Sequence, residues 1–379
     1  MLKLESYEFA QLLNSFAFKL YHETRLSDEN LVLSPAQMMI SLSLLAMGSD
    51  SNTEKQFQVL LGYGDPSKLG KCLQQGVKEV LHWVEKFSIT SIQIEKSLTI
   101  KQTFPLFLKQ CGLDYDMFFG QVDFVKGSQA YKNQINEYAV QQLGVQKLIP
   151  DGYLNSFVRA VVINSIRYQC VFHTPFSEKL TQQDTFVINN HTTNYKTLLV
   201  EVFMMNQIEF YKYFDDKVAT FVGIPLKDFR FHLDIIIPKI NIKEYEALIN
   251  YAAYVQYILQ SKKTKLHLKL PRFRIQYQQT KPFKDILVGM GLADIFQSMK
   301  SDLSKIEKTK SACLSEVLSR PIIEVFEDEL SAEQSLELPK YTQPPIVVTV
   351  NRPFLYAVRE TLTNSILIFG KLIDPTQME

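Results

Sequence analysis

The chain has 379 residues, 46% hydrophobic and 21% charged, with 14 Gly and 15 Pro; at roughly 150 residues per domain this length gives two or three domains or one large fold, and the composition excludes collagen-like and disordered classes. Forty-one basic residues against 40 acidic leave a formal net charge of +1, which gives no sign of a chain-wide nucleic-acid or polyanion binder. Four cysteines, Cys72, Cys111, Cys170 and Cys313, are too widely spaced for a CxxC motif and too few for a disulfide scaffold, so free thiols are expected.

Glu5 and Glu8 interrupt the apolar run that a secretory signal needs, so no signal peptide is read and a cytoplasmic location is expected; an extracellular one would need unconventional secretion. Phe9, Leu12, Leu13, Phe16 and Leu20 recur at the spacing of a one-sided helix, followed by turn residues at Ser27, Asp28 and Asn30. Pro35 to Met47 reads as a second, largely apolar helix, too interrupted by Gln37, Ser41 and Ser43 to span a membrane. Gly48 and Ser49 to Thr53 break the pattern, Glu54 to Leu61 resumes it, and Gly62 to Pro66 is a loop. Helices dominate to about Gly144, with a strand-like exception near Ser91 to Lys101.

From Arg159 the character changes. VRAVVINSIRY, VFMMNQIEFYKYF, FVGIPL, FHLDIIIPK and KLHLKLPRFRIQY are β-branched or aromatic, several with period-two alternation. A helical segment at Lys281 to Met290 intervenes, and strands return in IIEVFED, PPIVVTV, PFLYAVRE and SILIFGKL. Helices first and strands later, without βαβ alternation, predict an α+β architecture. With no repeat, low-complexity tract or linker, one domain over residues 1–379 is expected.

A search for chemistry finds no GxSxG elbow, HExxH, GxGxxG or EF-hand loop, and GDPSKLGKC fails the phosphate-loop spacing. The six histidines are scattered singly, so no metal or cofactor is expected and the chain is not read as an enzyme. Lys265, His267 and Lys269 alternate with Leu266, Leu268 and Leu270, and Arg272 and Arg274 follow; this basic strand face is a weak candidate for a polyanion, with a solvated face as the plainer reading. Asn190 opens a glycosylation sequon that matters only on the secretory route. No nucleic acid or membrane partner is expected, and the chain is read as a monomer.

The segment EDELSAEQSLELPKYTQPP, after the apolar run Ile322 to Phe326, is the most informative. Leu330, Ala332, Gln334, Leu336 and Leu338 fall on one face at period two, and Glu329, Ser331, Glu333, Ser335 and Glu337 on the other: a strand pattern in a segment of exposed composition. The four-residue spacing of Leu330, Gln334 and Leu338 leaves a helical reading open.

An ordered series of segments resembles the serpin family along nearly the whole chain: NLVLSP with LLAMGSDSNT, VVINSIRYQCVF, VFMMNQIEFYKYF, DIIIPK, LKLPRFRI, LVGMGLADIF with SDLSKI, and NRPFLYAVRETLTNSILIFGKLIDP. The resemblance implies about eight or nine helices, three β-sheets and an exposed reactive loop at about 327–345. It implies a target protease, serine or also cysteine, that cleaves the loop and is trapped as an acyl-enzyme when the loop inserts into the main sheet. The implied hinge is Glu327, Asp328, Glu329, Leu330, Ser331 and Ala332, and the implied sheet-opening region holds Ser34, Gln37, Asn164, Phe172 and Ser319. The family's hinge usually continues with Gly, Thr, Glu and a run of Ala; here Glu329, Leu330 and Ser331 follow Asp328, and only Ala332 keeps the small-residue pattern. Phe172 stands where the family carries Trp, Cys170 replaces its Gly, and Gln37 and Ser319 replace a Ser and a His.

On the family's register Leu330, Ala332, Gln334, Leu336 and Leu338 point inward. Each aliphatic side chain contributes roughly 1.5–3 kcal/mol when fully buried, against about 1–3 kcal/mol for an unpaired amide, so burial favours insertion. Glu329 opposes it, because Gly would give freedom at the turning point, and Pro339 would remove a ladder hydrogen bond. The family's usual loop length, counted from Glu327, ends on Gln343, with Pro344 after the cut; shorter loops place the cut after Thr342, Tyr341 or Lys340. Thr342 and Tyr341 rank first, then Lys340, then Gln343. The alternative reading is a non-inhibitory serpin, a carrier, chaperone or cleavable decoy.

Overall fold

The computed structural model describes residues 4–25, 28–65, 70–72, 76, 88–189, 197–277, 281–327 and 344–377. The described helices are α1 (Leu4–Thr24), α2 (Pro35–Gly48), α3 (Ser51–Leu61), α4 (Thr103–Gln110), α5 (Tyr115–Phe118), α6 (Phe124–Leu143), α7 (Ile242–Leu248), α8 (Tyr251–Gln260) and α9 (Phe283–Gly289). The strands are β1 (Leu31–Leu33), β2 (Ser88–Glu95), β3 (Phe119–Val122), β4 (Ala160–Gln169), β5 (Gln182–Asn189), β6 (Thr197–Asp215), β7 (Ala219–Pro225), β8 (Phe231–Pro238), β9 (Lys262–Pro271), β10 (Phe273–Gln276), β11 (Glu316–Ser319), β12 (Ile322–Val325), β13 (Ile346–Thr349), β14 (Phe354–Glu360) and β15 (Ile366–Leu372). They fall into two compact units: Met1–Thr24, Ser34–Arg167 and Tyr277–Ile322 in one, Arg25–Leu33, Tyr168–Gln276 and Ile323–Glu379 in the other.

The first unit is built around α2. Pro35 occupies its first turn, where a missing N–H costs nothing, and every one of its 14 residues is buried. α3 starts at Ser51, earlier than the Glu54 of the sequence pattern, because the Asp50 carboxylate accepts the Ser51 N–H and caps it. β2 likewise runs Ser88–Glu95, not Ser91 to Lys101, and ends where the Glu95 carboxylate accepts the Ser97 N–H and turns the chain. β2 pairs in parallel with β3 and antiparallel with β4, and β4 pairs in parallel with β11. α6 presents a narrow apolar stripe, Phe124, Tyr131, Ile135, Ala139 and Leu143, at helical spacing. Gly144, in the left-handed region at φ +67°, ends the helix with its N–H on the last carbonyls.

The second unit is a nine-stranded sheet in the order β1-β15-β14-β8-β7-β6-β9-β13, with β5 on β6. Two of the sheets implied by the resemblance meet on β6, a 19-residue strand that pairs first with β5, then with β9, and at its end with β7. β14 and β15 are buried along their whole length. Gly370 on β15 permits a close approach: a Cβ there would lie 2.0 Å from the Leu31 carbonyl oxygen, which also accepts the Tyr356 hydroxyl at 2.9 Å. α7 and α8 lie between two runs read as strands, in a stretch to which the sequence pattern assigns no element. Asn241 and Asn250 cap them, the side chains accepting from Lys243 N and Ala253 N.

Two buried ion pairs lock this unit. Arg359 donates to Asp234 at 2.5 Å, the Tyr254 hydroxyl donates to the same carboxylate at 2.5 Å, and Arg359 and Asp234 are 5% and 0% exposed. Burial alone would lower the Arg359 pKa, but the Asp234 charge outweighs it and the pKa rises, so the guanidinium stays charged. Lys371 sits 3.0 Å from Glu246, both almost wholly buried. Asp234→Ala leaves Arg359 charged and uncompensated, and is expected to cost about 3–5 kcal/mol in denaturant unfolding; a loss below about 1 kcal/mol would contradict this account of the pair.

Candidate functional site

Of the residues implied for sheet opening, Asn164 and Ser319 pair across the seam between β4 and β11, and Gln37 reaches β4 from α2. β4 opens on the apolar run Ala160–Ile163 and is buried as far as Ile166, and its partner register runs from Val161 opposite Glu316 to Asn164 opposite Ser319. Ser315 N–H donates to the Ala160 carbonyl at 2.8 Å and Arg320 N–H to the Asn164 carbonyl at 3.0 Å. The Ser165 hydroxyl donates to the Arg320 carbonyl at 2.7 Å. Pro321 has no N–H to give, which separates β11 from β12. The seam is therefore a short parallel ladder, the weaker of the two pairing geometries.

One face of the seam is covered by apolar packing. Val161 and Ile163 of β4 and Leu318 and Ile322 beside them join one buried cluster with α6 and with Val145, Leu148, Ile149, Leu154 and Val158. The segment after α6 is stapled to it: Asn136 donates to the Ile149 carbonyl at 3.0 Å and accepts the Ile149 N–H at 2.8 Å, and Lys132 pairs with Asp151 at 2.5 Å. The hydrogen bond from Lys132 lowers the Asp151 pKa.

A buried polar layer meets the same strand. Gln37 on α2 is fully buried, and its Nε2 lies 2.9 Å from the Ile89 carbonyl and 3.0 Å from both Thr90 Oγ1 and the Ser165 carbonyl, three acceptors for two protons. One turn along, the Ser41 hydroxyl donates to Asn164 Oδ1 at 3.0 Å. Gln37 Oε1, Asn164 Nδ2 and the Ser34 and Ser43 hydroxyls are buried and meet no hydrogen-bond partner among the described residues. Such atoms destabilise the state that holds them, each by about 1–3 kcal/mol. Gln37, Asn164 and Ser319 thus belong to one unit with Ser34, whereas Phe172 lies in the other unit, bridged to Leu226 and edge-on to Phe176 at 4.9 Å.

In the second unit the strand running towards the implied loop is clamped by two ion pairs. Arg274 on β10 meets Glu324 on β12 at 3.1 Å, and the Cys170 N–H donates to the Glu324 carbonyl at 2.9 Å. Burial, reinforced by the Glu324 charge, raises the pKa of the Cys170 thiol. Arg272 donates through Nε to both oxygens of Glu327, at 2.6 and 2.8 Å, and lies over the Phe203 ring; the Thr181 hydroxyl also donates to Glu327. Glu327 is the last described residue before the loop, and Asp328, Glu329, Leu330, Ser331, Ala332, Lys340, Tyr341, Thr342 and Gln343 lie outside the described residues. The chain is next described at Pro344, and β13 pairs in parallel with β9.

The basic strand face is partly engaged. Lys269 pairs with Asp184 at 3.3 Å, Arg272 holds Glu327, and Lys265 lies over the Phe210 ring. The Arg272–Glu327 and Arg274–Glu324 pairs are absent from the sequence reading because some fifty positions separate the partners. Ser41 leaves a signal in the sequence: a polar residue one turn after Gln37 on a largely apolar helix.

The described seam is a short parallel pairing of β4 with β11 under a helical cover. Residues 11–375 match the family model described as Serpin (serine protease inhibitor), and the chain belongs to the serpin family. It is by family not an enzyme, and the fold is a metastable one that works through a conformational change of its loop. The leukocyte elastase inhibitor of Xenopus tropicalis is 24% identical over 375 residues, covering 95% of this chain and 97% of its own. The thyroxine-binding globulin of Rattus norvegicus is 26% identical, over 98% and 90%. Among solved structures, maspin has a TM-score of 0.86 at 22% identity, over 98% of this chain and 100% of its own.

The clamp at the loop's root gives an asymmetric expectation. Glu327 is 7% exposed and Arg272 22%, so Arg272→Ala strands the more buried charge and is expected to cost about 1–3 kcal/mol, more than Glu327→Ala, which leaves Arg272 its contacts with Phe203 and Glu178. Urea unfolding of the two variants measures the difference, and an equal or reversed order would count against it.

Proposed function

We propose that the protein is a suicide-substrate inhibitor of a serine protease. The observation that carries this reading is the direct parallel pairing of β4 with β11. The 328–343 segment follows β12, so a strand made by turning back runs antiparallel to β11 and, because β4 is parallel to β11, antiparallel to β4 as well. Its insertion replaces one parallel ladder with two antiparallel ones, the stronger geometry. Sixteen residues extend to roughly 50 Å, ample to lie along strands of this length.

The chemistry is the protease's own. Its serine oxygen attacks the carbonyl of the scissile residue, for which Thr342 and Tyr341 rank before Lys340 and Gln343, and the peptide C–N bond breaks. The new amine leaves with the C-terminal part, which β13 holds on β9 through Ile346–Thr349. The acyl ester stays on the N-terminal part, and insertion carries the attached protease away before water can hydrolyse it. A cysteine protease would form the corresponding thioester. A relative named as a leukocyte elastase inhibitor supports this reading. A polyanion partner at Lys265, Lys269 and Arg272 has less support, since two of the three cations face carboxylates of the chain.

The second reading, a non-inhibitory serpin, is favoured by one feature: Glu329 and Leu330 occupy a hinge where backbone freedom and small side chains ease insertion. A relative whose name says that it binds thyroxine belongs to the same comparison.

Incubation with trypsin, chymotrypsin or elastase at near-equimolar ratio is expected to give a denaturant-stable covalent complex on a gel, and the released fragment's mass identifies the scissile bond. Leu330→Arg places a charge on the inward face and is expected to abolish the complex while cleavage continues. Clean cleavage of the wild type by each protease, with no complex and no rise in melting temperature, would overturn the inhibitory reading in favour of the second.

A further inference from the structure

The stretch covering the seam, from Phe124 to Val158, is held at both ends by one residue. Glu95, the last residue of β2, is 2% exposed. Its carboxylate accepts the N–H of Phe124, the first residue of α6, at 2.8 Å, where the helix N-terminus favours negative charge. Its backbone N–H donates to the carbonyl of Arg159, the residue after the cover, at 2.9 Å. The adjoining Lys96 N–H donates to the Val122 carbonyl at 2.8 Å, binding β3 to the same corner.

The bonds at this corner divide into two sets by the side of the seam they join. Those of Glu95 link β2, the start of α6 and the start of β4, all on one side. Those of Ser315 cross to the other: its hydroxyl accepts the Arg159 N–H at 2.9 Å, and its N–H donates to the Ala160 carbonyl at 2.8 Å. A strand entering between β4 and β11 must break the Ser315 set and can leave the Glu95 set whole. The cover also packs against both sides, on Val161 and Ile163 of β4 and on Leu318 and Ile322 of the opposite edge. Packing alone therefore does not decide which side it follows.

We propose that Glu95 is the positioning residue that makes the Phe124–Val158 cover travel with β2 and β4 when the seam opens, clearing the slot. The proposal rests on the inhibitory reading for its consequence but not for its geometry. Without the carboxylate the Phe124 end of the cover loses its tie to β2 while the backbone bond to Arg159 remains, and that end lags on Leu318 and Ile322 and obstructs the incoming strand, so that the cleaved loop is released as product more often than it traps. Ser315 has the opposite sense, a tie that opening must break.

The test uses the full chain with Glu95→Gln, which keeps the side chain's size and one acceptor, and Ser315→Ala as its counterpart. Hydrogen exchange of the intact proteins is the first measurement: Glu95→Gln is expected to raise exchange in 124–143 about tenfold and leave 160–169 unchanged. Unaltered exchange in 124–143 would overturn the proposal whatever the inhibitory outcome. The second is the number of inhibitor molecules consumed per protease trapped. It is expected to rise at least threefold in Glu95→Gln, with the rate of loop cleavage unchanged, and to fall or stay level in Ser315→Ala. A merely structural role would lower the melting temperature and leave this ratio alone, and that result, or an equal rise in both variants, would refute the assignment. Failure of the wild type to trap any protease is the failure of the inhibitory reading, and the exchange measurement then still decides whether Glu95 anchors the cover.

Discussion

Two parallel strands share a ladder that an antiparallel strand between them would replace with two better ones. The direct pairing of β4 with β11 is the constraint on which the other features of the structure depend. On the proposed inhibitory reading, it makes the described arrangement a state with somewhere lower to go. Within its own unit a cover with a thin apolar stripe and a polar layer with unmet atoms hold the seam shut without making it strong; in the other unit, ion pairs hold the root of the loop. The rest of the molecule is more conventional. Asp234 and Arg359, Glu246 and Lys371, and the wholly buried β14 and β15 form a frame that does not need to move.

The polar layer illustrates how a structure can be stable and still poised. Gln37 and Asn164 are buried, hydrogen-bonded through one end of each amide and unpartnered at the other among the described residues. A buried network that is only partly satisfied is worse than an apolar core of the same volume. At the loop's root the opposite device operates: Arg272 and Thr181 both donate to Glu327, a specific tether at the point where the chain would have to turn.

Much of this was legible in the sequence, and unevenly so. α1 and α2 follow from apolar spacing, and β4, β6, β8 and β9 from β-branched and aromatic runs. α7 and α8 were missed because INIKEYEALINYAAYVQYILQ is rich in Ile, Val and Tyr, which suit strands equally; Asn241 and Asn250 at the caps were the overlooked signal. β3 is too short to show a period, and the end of β2 is set by a side-chain cap at Glu95 that no periodicity reveals. Within the site, Ser34, Gln37, Asn164 and Ser319 came from the resemblance, and their packing came only from the structure. Arg272 was read as one of a row of surface cations, whereas its partner Glu327 lies 55 positions away, a pairing that only folding creates.

Whether the seam receives the loop is read by hydrogen exchange in 328–340 before and after a single cleavage within 328–343, without regard to which protease makes it. If the segment inserts, its protection rises strongly on cleavage, and β4 and β11 gain protection as each acquires an antiparallel neighbour. A segment that still exchanges freely after cleavage, with β4 and β11 unchanged, would contradict the view that the seam is built to receive it.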